Sequence, residues 1–574
     1  MEKLEALRHT CAHVLAHAVR NLYPKALPTI GPTIENGFYY DFYNLDIKEE
    51  DLSKIEAEMQ KIVKADYKLK RIEKSKKDSE ALIKGNKFKL ELLKDLKEGE
   101  VSFYEQGDFI DLCRGGHLES TGKVKAFKLL KIAGAYWRGD AKNPQLTRIY
   151  GTAWESDKEL RVHLHNLQEA EKRNHVKIGE ELKLFTHFEL AGKGLPIWLP
   201  KGETVKMEVE KLAVETEEKA GYLRVSTPNI AKKELFIKSG HLPYYEESMY
   251  PAMVMDDGTY YLKAMNCPLH HLIYLHEQHS YRELPIRLAE FGTCYRNELS
   301  GTLTGLLRVR SLRMNDAHIY CRKDQVESEI ENVLSMIKDY FKIFNLKDYW
   351  FRLSLHDPKN KKKYIDEPEN WKLAEDALRK VLKKLGMKFI EKADEAAFYG
   401  PKIDIMFKNV FGREETMSTV QLDFAAKKRF ELYYIDEKGS KNNEVFVIHR
   451  APLSTHERFM AFLIEHYAGK FPLWLSPEQV RIMTITDRNI KFAEEICKKM
   501  KDSNIRVSLD ISNETISKKV RDAQLEKVNY MITIGDKEVD NKTLAVRTRE
   551  GKVSFGIKLD DFISQLKKEI QSRA

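Results

Sequence analysis

The pattern that most restricts the fold lies in the last part of the chain, where short apolar strands alternate with amphipathic helical segments. The strand-like runs are VRIMTIT, IRVSLDI, YMITIG and TLAVRTR, and the first of them begins at Val480. Such alternation is typical of α/β domains, in which helices cover a sheet and return the chain to the next strand. The sequence therefore predicts a separate α/β domain over 475–574 with a largely parallel sheet.

The N-terminal segment carries the first side chains that point to chemistry. Apolar residues recur at helical spacing over 4–22, which predicts a helix. His9 and His13 stand one turn apart on it, and Cys113 and His117 have the same spacing in DLCRGGH. This spacing is typical of metal ligands, but a catalytic pocket or two polar helix faces would show it as well. Spacing alone leaves all three interpretations open.

A long β-hairpin is predicted in the middle of the chain. Two strand-like runs, 286–298 and 307–321, flank the loop LSGTLTGL, with Arg296 and Arg308 near the strand ends and Glu298 beside them. A guanidinium gives bidentate, charge-assisted bonds to phosphate, so the hairpin suits a phosphate-bearing substrate. Arginines on hairpins are also common without a ligand, and the hairpin alone does not decide.

The rest of the chain mixes helical and strand-like segments. The stretch TIGPTIENGFYYDF predicts tight turns followed by a strand. The charge-dense segment 48–85 is predicted to be helical, and the polar stretch 156–183 to be a helix that connects two domains. Because single cores rarely exceed ~250–300 residues, we divide the chain into several domains, with boundaries at 1–155, 156–183, 184–474 and 475–574.

Composition excludes several classes of protein. No apolar run approaches the ~18 residues of a membrane span, and the N-terminus MEKLEALRHT lacks the apolar core of a signal peptide. Six cysteines without paired spacings indicate a reducing, cytoplasmic location and no disulfide framework. The formal net charge of +9 is only weak support for a polyanionic partner.

Taken together, these stretches resemble a known enzyme family. FGTCYRNELSGTLTGLLRVR and HRAPLSTHERF resemble motifs 2 and 3 of class II aminoacyl-tRNA synthetases, and STPNI, with Pro228, resembles motif 1. MNCPLH, NDAHIYC, AFYGPKIDI, TVQLDF and VIHRA resemble the threonyl-tRNA synthetases in particular. GFYYDF, DLCRGGH, AGAYWRGD and RIYGTAW resemble the editing domain of that family. The resemblance follows the chain in order and covers essentially all of it.

The resemblance implies an α+β multidomain fold. It comprises an α+β editing domain, a class II catalytic core on an antiparallel sheet, and a C-terminal α/β anticodon-binding domain. The implied activity is that of a ligase: L-threonine is activated with ATP and transferred to the 3′ end of tRNA-Thr, with hydrolytic editing of Ser-tRNA-Thr. The expected partners are tRNA-Thr, ATP, L-threonine and a second copy of the chain, in contact through 205–228, and no membrane. Because Met1 lies only eight residues before His9, the small domain that usually precedes the editing domain is expected to be absent.

The resemblance also implies roles for individual residues of the synthetic site. The catalytic residues are Arg296, Arg458 and His241. The ATP contacts are Arg296, Glu298, Arg308 and Arg458, with Mg²⁺ accompanying the nucleotide. The threonine contacts are Asp316, Tyr399, Lys402 and Gln421. One Zn²⁺ per subunit is expected on Cys267, His318 and His449. A site that engages the threonine hydroxyl can reject valine by about 10⁴–10⁵.

Serine also carries a hydroxyl, and the missing methyl is worth only ~1–3 kcal/mol, so a second, hydrolytic site is needed. The matching editing residues are His9, His13, Tyr40, Lys89, Asp111, Cys113 and His117. The resemblance implies that this pocket works without a metal, while His17 is assigned to packing or support. The matching anticodon contacts are Asn513, Arg521, Glu538 and Arg547. At these four positions, surface side chains without a ligand remain the alternative.

Four positions depart from the family pattern. Leu312 replaces an aromatic residue expected to stack on adenine, Met314 replaces a glutamine, and Ser454 with Thr455 replaces a Gly-Ser pair. ATP affinity is the property that these departures affect most. Two rival interpretations follow, a non-catalytic tRNA- or mRNA-binding relative and a class II synthetase for another amino acid. The intact motif arginines and the Cys-His-His triad disfavour the first, and the triad with Asp316 disfavours the second.

Overall fold

The computed structural model describes residues 2–97, 99, 101–140 and 142–573. The chain divides into two compact units, Met1–Glu169 and Ala170–Ala574. Within the described ranges, no helix is both long and apolar enough to span a bilayer.

The first unit is built around helix Glu2–Leu22, whose apolar face lies in a core that also contains Phe38, Phe42 and Ile149. Its five-stranded antiparallel sheet has the order Leu27–Pro28, Gly37–Tyr43, Gln145–Trp154 and Ala126–Tyr136, with Thr33–Ile34 also paired to the second strand. A smaller antiparallel sheet contains Leu69–Glu73, Ser102–Gln106 and Phe109–Leu112. The other helices are Leu52–Lys64, Lys76–Leu82 and Lys87–Asp95.

The N-terminal helix is confirmed. A tight turn is present near the predicted Asn-Gly turn, but its two central residues are Glu35 and Asn36, and Gly37 already belongs to the strand. The helical prediction for 48–85 is wrong in its middle, where Leu69–Glu73 is a strand. Its exposed charged side chains belong to an edge strand, paired on one side with Ser102–Gln106. Charges are common on edge strands because they prevent unwanted pairing with other strands. In the sequence, the same density of charged residues resembles the solvent-exposed face of a helix.

The connection between domains is two helices, Asp157–Lys172 and His175–Glu181, and not the single helix predicted over 156–183. The break has a local cause. Asn174 has non-helical backbone geometry, and its side chain accepts a hydrogen bond from Val176 N, so it caps a new helix.

The second unit contains an eight-stranded sheet in the order Leu223–Arg224, Ile286–Tyr295, Ser311–Arg322, Val445–Ala451, Glu414–Asp423, Lys402–Lys408, Tyr349–Ser354 and Phe389–Lys392. All neighbours are antiparallel except the outermost pair at each edge. The helices of this region are Pro200–Lys219, Lys233–Ser239, His241–Tyr244, Cys267–His276, Val326–Ile343, Pro368–Lys384, Ala426–Arg429 and His456–Tyr467. Short strands pair outside this sheet: Phe185–Thr186 with Ile197–Trp198, Gly258–Leu262 with Ile230–Lys232 and Met253–Met255, and Tyr434–Ile435 with Lys441–Asn442.

The predicted long hairpin is present as strands Ile286–Tyr295 and Ser311–Arg322. Both strands are shorter than predicted, so Arg296 and Arg308 belong to the connection between them. The register of the sheet has a direct consequence for chemistry. His449 is the cross-strand partner of His318 on one side and of Gln421 on the other.

The C-terminal sheet has the order Val507–Asp510, Val480–Thr484, Tyr530–Ile534, Leu544–Thr548 and Val553–Ile557. The first three strands are parallel, as predicted, but the last two are antiparallel. A parallel return needs a crossover of a dozen or more residues, and the last two strands are joined by a tight turn. The prediction of a largely parallel sheet is therefore correct only for the first three strands. The helices are Ile490–Asp502, Ile516–Leu525, Asp536–Asn541 and Leu559–Ser572.

A buried ion pair joins helix Pro200–Lys219 to the central sheet. Glu217 and Arg450 are both fully buried, and Arg450 Nη2 lies 2.8 Å from Glu217 Oε1. The same carboxylate accepts a bond from Asn315 Nδ2 at 2.9 Å, and its second oxygen lies 2.6 Å from Arg224 Nη1. The Arg450 guanidinium also lies 4.4 Å from the ring centroid of Tyr222. Every member of this network has a partner, as a buried charge requires.

We expect Glu217→Ala to destabilise the second unit by about 3–5 kcal/mol, because Arg450 would be left buried without its counter-ion. Thermal unfolding followed by calorimetry should show a midpoint lower by at least about 5 °C. The control is Glu327→Ala, which removes the exposed pair with Lys380 and should cost less than about 1 kcal/mol. Equal midpoints for the two variants would contradict the role given to Glu217.

Candidate functional site

A buried group of metal-ligand side chains lies in the central sheet. Cys267, His318 and His449 are all buried, and their ligand atoms lie within 4.8 Å of one another. Cys267 begins helix Cys267–His276, while the two histidines are cross-strand neighbours. We call these three residues the Cys267 cluster. One thiol and two imidazoles at this separation are a donor set that suits Zn²⁺ and leaves a fourth position open.

Each imidazole of the Cys267 cluster is hydrogen-bonded to a neighbouring side chain outside the cluster. His318 Nδ1 lies 2.9 Å from His270 Nδ1, and His270 Nε2 lies 2.9 Å from Glu290 Oε2. His449 Nε2 lies 3.1 Å from Asp423 Oδ2. Each imidazole therefore keeps one nitrogen for a metal and bonds through the other, as metal-binding histidines do.

Burial lowers the pKa of His318 well below its usual range, so the ring is neutral. Burial, with Asp316 and Asp423 nearby, raises the pKa of the Cys267 thiol. Two carboxylates beside a buried thiol disfavour a bare thiolate, and a cation held by the thiolate would reverse that preference. The cluster thus fits a divalent metal in donor type and in its surrounding hydrogen bonds.

A cavity of about 300 Å³ opens over the Cys267 cluster; we call it the cysteine-side cavity. All four predicted threonine contacts line it, together with Arg296. The Tyr399 ring stacks on His449 at 4.8 Å, and its hydroxyl donates to Gln421 Oε1 at 2.5 Å. Asn266 Nδ2 donates to Asp316 Oδ2 at 2.9 Å, which fixes that carboxylate. Lys402 Nζ lies 2.9 Å from Asp404 Oδ2.

A second cavity of about 250 Å³ shares Arg296, Lys402 and Gln421 with the first. We call it the arginine-side cavity, because Arg308 and Arg458 also line it. Burial lowers the pKa of Arg458, and the nearby Arg296 and Arg308 act in the same direction. Three guanidinium groups around one cavity form a site for a polyanion such as a triphosphate.

Two of the predicted ATP contacts bond to each other. Glu298 Oε2 lies 2.8 Å from Arg308 Nε, and both residues belong to the connection between the hairpin strands. Arg310 Nε donates to the backbone carbonyl of Glu298 at 3.0 Å. The connection is therefore stabilised by bonds between its own residues. A ligand that contacts both Glu298 and Arg308 must share or replace the bond between them.

The four departures from the family pattern all line the arginine-side cavity. Leu312 is buried with Cys294 and Val309 and gives the cavity an aliphatic wall. Ser454 has a φ of +55°, in the left-handed region that favours glycine. Thr455 caps helix His456–Tyr467 by accepting from Arg458 N, so it positions the residue that carries one of the three guanidinium groups.

His241 is fully enclosed, with Nδ1 2.8 Å from Ser239 Oγ. Its Nε2 is buried without a hydrogen-bond partner among the described residues. Burial, with His449, Arg296 and Arg429 as cationic or titratable neighbours, lowers the pKa of His241 to about 3. An imidazole with this pKa stays neutral at neutral pH and is a weak base, so its free nitrogen is suited to accept a hydrogen bond.

The two histidine and cysteine pairs that the sequence places one helical turn apart also lie together in the structure. The ligand atoms of His9, His13, Cys113 and His117 lie within 4.8 Å of one another, and we call them the His9 cluster. Cys113 Sγ lies 3.4 Å from His9 Nε2 and 3.2 Å from His117 Nε2. Burial lowers the pKa values of all three imidazoles and raises the pKa of the thiol to about 11. The cluster is therefore uncharged near neutral pH.

The remaining predicted residues of this pocket lie against the His9 cluster. Asp111 accepts a short hydrogen bond from the Tyr40 hydroxyl and pairs with Lys89 Nζ at 2.7 Å. His13 Nε2 lies 3.9 Å from the same carboxylate, and His13 Nδ1 has no partner within the described part of the chain. His17 instead bonds to Asp108 and Gln106, which fits the supporting role predicted for it.

The four predicted anticodon residues lie on one domain, at different levels of its sheet. Asn513 and Glu538 follow the carboxyl ends of Val507–Asp510 and Tyr530–Ile534. Arg547 is opposite Met531, near the amino end of Tyr530–Ile534, and Arg521 is exposed on helix Ile516–Leu525. The structure brings the first two to one edge and does not bring Arg547 to that edge.

Several residues around the two clusters were not predicted. They are His270, Glu290, Asp423, Asn266 and Arg450 around the Cys267 cluster, and Thr10 and Gln106 around the His9 cluster. His270 had a sequence signal, since it lies one turn after Cys267 on the same helix face. Asn266, Arg450 and Thr10 each adjoin a predicted residue in the sequence, but no pattern assigned them a role. Glu290, Asp423 and Gln106 lie in other elements than the side chains they contact, and spacing cannot reveal them.

Comparison with protein families matches three parts of the chain. Residues 252–467 match the tRNA synthetase class II core domain (G, H, P, S and T). Residues 479–569 match an anticodon binding domain. Residues 101–150 match the threonyl and alanyl tRNA synthetase second additional domain.

Similar proteins cover the chain almost completely. Threonine–tRNA ligase of Geobacillus kaustophilus is 46% identical over 100% of this chain and 88% of its own length. That of Geobacillus sp. strain WCH70 is 47% identical, over 99% and 89%. Among solved structures, the RNA binding domain of threonyl-tRNA synthetase from Cryptosporidium parvum has a TM-score of 0.65 and 34% identity, over 69% of this chain and 98% of that one. A putative threonyl-tRNA synthetase from Aeropyrum pernix has a TM-score of 0.61 and 30% identity, over 70% and 97%.

Proposed function

The chain belongs to the threonine–tRNA ligase family, and we propose that its two clusters divide the work of that family between them. The resemblance and the fold class predicted from sequence are confirmed: a class II core, an anticodon-binding domain and an editing-type domain are present. The chain is a ligase that joins threonine to its tRNA and edits the product. The domain boundaries and the roles of single residues remain our proposals.

Synthesis is assigned to the two joined cavities. Threonine occupies the cysteine-side cavity and ATP, with its Mg²⁺, the arginine-side cavity. Arg296 lines both, so it can meet the threonine carboxylate and the α-phosphate together. Arg308 and Arg458 hold the rest of the triphosphate, and Glu298 meets the adenine amino group. Fixed guanidinium groups stabilise the charge that develops on phosphate oxygens during attack.

Selection of threonine is assigned to the floor of the cysteine-side cavity. Cys267, His318 and His449 would hold Zn²⁺, which when bound supplies a Lewis-acid position for the amino and hydroxyl groups of threonine. Asp316, fixed by Asn266, accepts the hydroxyl hydrogen bond. His241, with its free Nε2, is assigned to the transfer step, where that nitrogen would accept a hydrogen bond from the terminal ribose hydroxyl.

One observation carries this proposal: the Cys267 cluster lines the same cavity as Arg296, which also lines the cavity of the other two arginines. We expect ATP–pyrophosphate exchange with threonine, weaker exchange with serine by about 10–200-fold, and exchange with valine lower by about 10⁴–10⁵. Strong exchange with valine, or none with threonine, would refute the assignment.

Metal analysis is the control for this assignment. The purified chain should contain one zinc, and Asp423→Asn should weaken zinc retention by about 10–100-fold, because it loosens His449. Asp324→Asn, at an exposed carboxylate paired with Arg322, should not. A second stoichiometric zinc that disappears in His9→Ala would show that the His9 cluster is a metal site.

Editing is assigned to the His9 cluster without a metal. Its imidazoles are neutral because burial lowers their pKa values, so their ring nitrogens can accept a hydrogen bond from water and orient it. The raised pKa of Cys113 keeps the thiol protonated and makes it a poor nucleophile. Water oriented by the imidazoles, beside the Lys89–Asp111–Tyr40 group, is therefore the better candidate to attack the seryl ester.

We expect the double variant His9→Ala and His13→Ala to hydrolyse preformed Ser-tRNA-Thr at least about a hundredfold more slowly, since the pocket loses the side chains that orient water on the ester. Threonine-dependent pyrophosphate exchange on the same preparation should be near wild type. The control is His165→Ala, an exposed histidine of helix Asp157–Lys172. Unchanged deacylation, or activation that falls in parallel with it, would show that the pocket is misassigned.

The C-terminal domain is assigned to the anticodon, with Asn513, Arg521, Glu538 and Arg547 as contacts. Arg521 is exposed and the side chains of Glu538 and Arg547 are partly exposed, which supports this role. The six free cysteines support the proposed cytoplasmic location, because unpaired thiols suit a reducing compartment.

A homodimer is proposed through the region of helix Pro200–Lys219. Exposed apolar side chains are frequent in this helix and on either side of it in the sequence: Phe188, Leu190, Ile197, Met207 and Leu223. Such patches mark interaction surfaces. Light scattering at micromolar concentration should give twice the chain mass of 66.9 kDa, and Met207→Asp should shift the mass towards one chain. A wild-type mass of 66.9 kDa would contradict the proposal.

A further inference from the structure

The C-terminal sheet exposes an aromatic side chain that the roles assigned so far do not use. Phe555 is 75% exposed, whereas Phe562 of the same domain is buried in its core. It belongs to strand Val553–Ile557 at the edge of the sheet. An exposed phenylalanine ring leaves a large apolar area in water, so its neighbours decide what it can bind.

Strand register defines the face on which Phe555 lies. Arg547 is the cross-strand partner of Met531 on one side and of Val553 on the other. The neighbouring row, Ile532, Val546 and Ser554, turns to the opposite face, where Ile532 and Val546 are in the main core of the domain. Because side chains alternate along a strand, Phe555 lies on the face of Arg547. We call Arg547, Val553 and Phe555 the Phe555 face.

Helix Ile516–Leu525 covers the other part of this face, where Met483 and Met531 pack against Ala523. The Phe555 face lies beyond that contact, over the last two strands. The register shifts in this part of the hairpin, and Gly556 there has a φ of +69°. A bulge of this kind twists an edge strand and interrupts its pairing, so this edge is poorly suited to adding another strand.

Charge on the Phe555 face favours an anion. The Arg547 guanidinium makes one hydrogen bond, from Nη1 to the Gly551 carbonyl at 3.3 Å, and it is only partly buried. Lys552 is exposed just before this strand begins, and alternation of side chains turns it to the opposite face. An exposed ring beside a cation is a feature of surfaces that bind unpaired nucleotides, with bases stacked on rings and phosphates beside cations.

We propose that Phe555 stacks on an unpaired base of the tRNA anticodon loop while Arg547 holds the adjoining backbone. The inference rests on the proposed function and adds a contact that the four assigned anticodon residues do not include. A second copy of the chain suits the face less well, because a symmetric contact would bring Arg547 against its own equivalent.

The stacking contact should contribute to the affinity for tRNA and not to discrimination between anticodon sequences. Every base presents a similar flat face, so stacking contributes to binding whichever base occupies the site. Loss of the ring should therefore weaken tRNA-Thr and its anticodon-substituted forms by the same factor. Polar side chains that bond to base edges should instead change the preference among those forms.

The test is aminoacylation of full-length tRNA-Thr by Phe555→Ala. We expect the KM for tRNA to rise roughly five- to a hundredfold, with no rise for a minihelix that lacks the anticodon arm. Phe555→Trp should retain the wild-type KM, and Phe555→Leu should not. The control is Leu525→Ala, which removes an apolar side chain that is 60% exposed at the end of helix Ile516–Leu525, and it should not change the KM.

An unchanged KM in Phe555→Ala would overturn the inference, as would an equal rise with the minihelix. A change in oligomeric mass without a change in KM would overturn it too, because the face would then contact another copy of the chain. Threonine-dependent pyrophosphate exchange by the wild-type chain keeps the two proposals apart. Its absence refutes the proposed function, whereas normal exchange with an unchanged tRNA KM refutes only the stacking role.

Discussion

The buried ion pair of Glu217 and Arg450 is the interaction on which the catalytic region depends. Helix Pro200–Lys219 supplies the carboxylate, and strand Val445–Ala451 supplies the guanidinium one residue after His449. Asn315, the third partner, directly precedes Asp316. A single buried carboxylate therefore fixes both strands at the level of the substrate residues. Removing two charges from water is costly, and such a network holds together only when each charge keeps its partner.

The two clusters use the same kinds of side chain in different electrostatic surroundings. Carboxylates lie next to the Cys267 cluster, with Asp423 bonded to His449 and Glu290 bonded to His270. These favour a positive ion between the ligands. Beside the His9 cluster, Asp111 is paired with Lys89, and burial, His9 and Lys89 all lower the pKa of His13. A cation so close to these ligands disfavours a second cation between them, which supports a metal in the Cys267 cluster and water chemistry in the His9 cluster.

The sequence predicts best those elements that depend on neighbouring residues alone. The helix that carries His9 and His13, the long hairpin and the parallel half of the C-terminal sheet follow from periodicity and turn residues. The candidate site residues came from the family resemblance, because Cys267, His318 and His449 are too far apart in sequence for spacing to unite them.

What sequence could not supply is pairing between distant segments. The strand Leu69–Glu73 was missed because its charges suit an edge position that only Ser102–Gln106 creates. The partners of His318 and His449 depend on sheet register in the same way. The break at Asn174 had a local signal in the capping residue itself, and the even polar pattern around it concealed that signal.

The Cys267 cluster combines side chains from three distant segments. This determines at which stage the cluster can form while a newly made chain folds. Its ligands come together only after strands separated by more than a hundred residues have aligned, because His318 and His449 meet through sheet register. A slip of one residue would turn one imidazole to the opposite face of the sheet. In small zinc domains the ion drives folding, since no site exists without it. In this chain the sheet must form first, so any ion binds to a preformed site. It binds there only when the strands are aligned in the correct register.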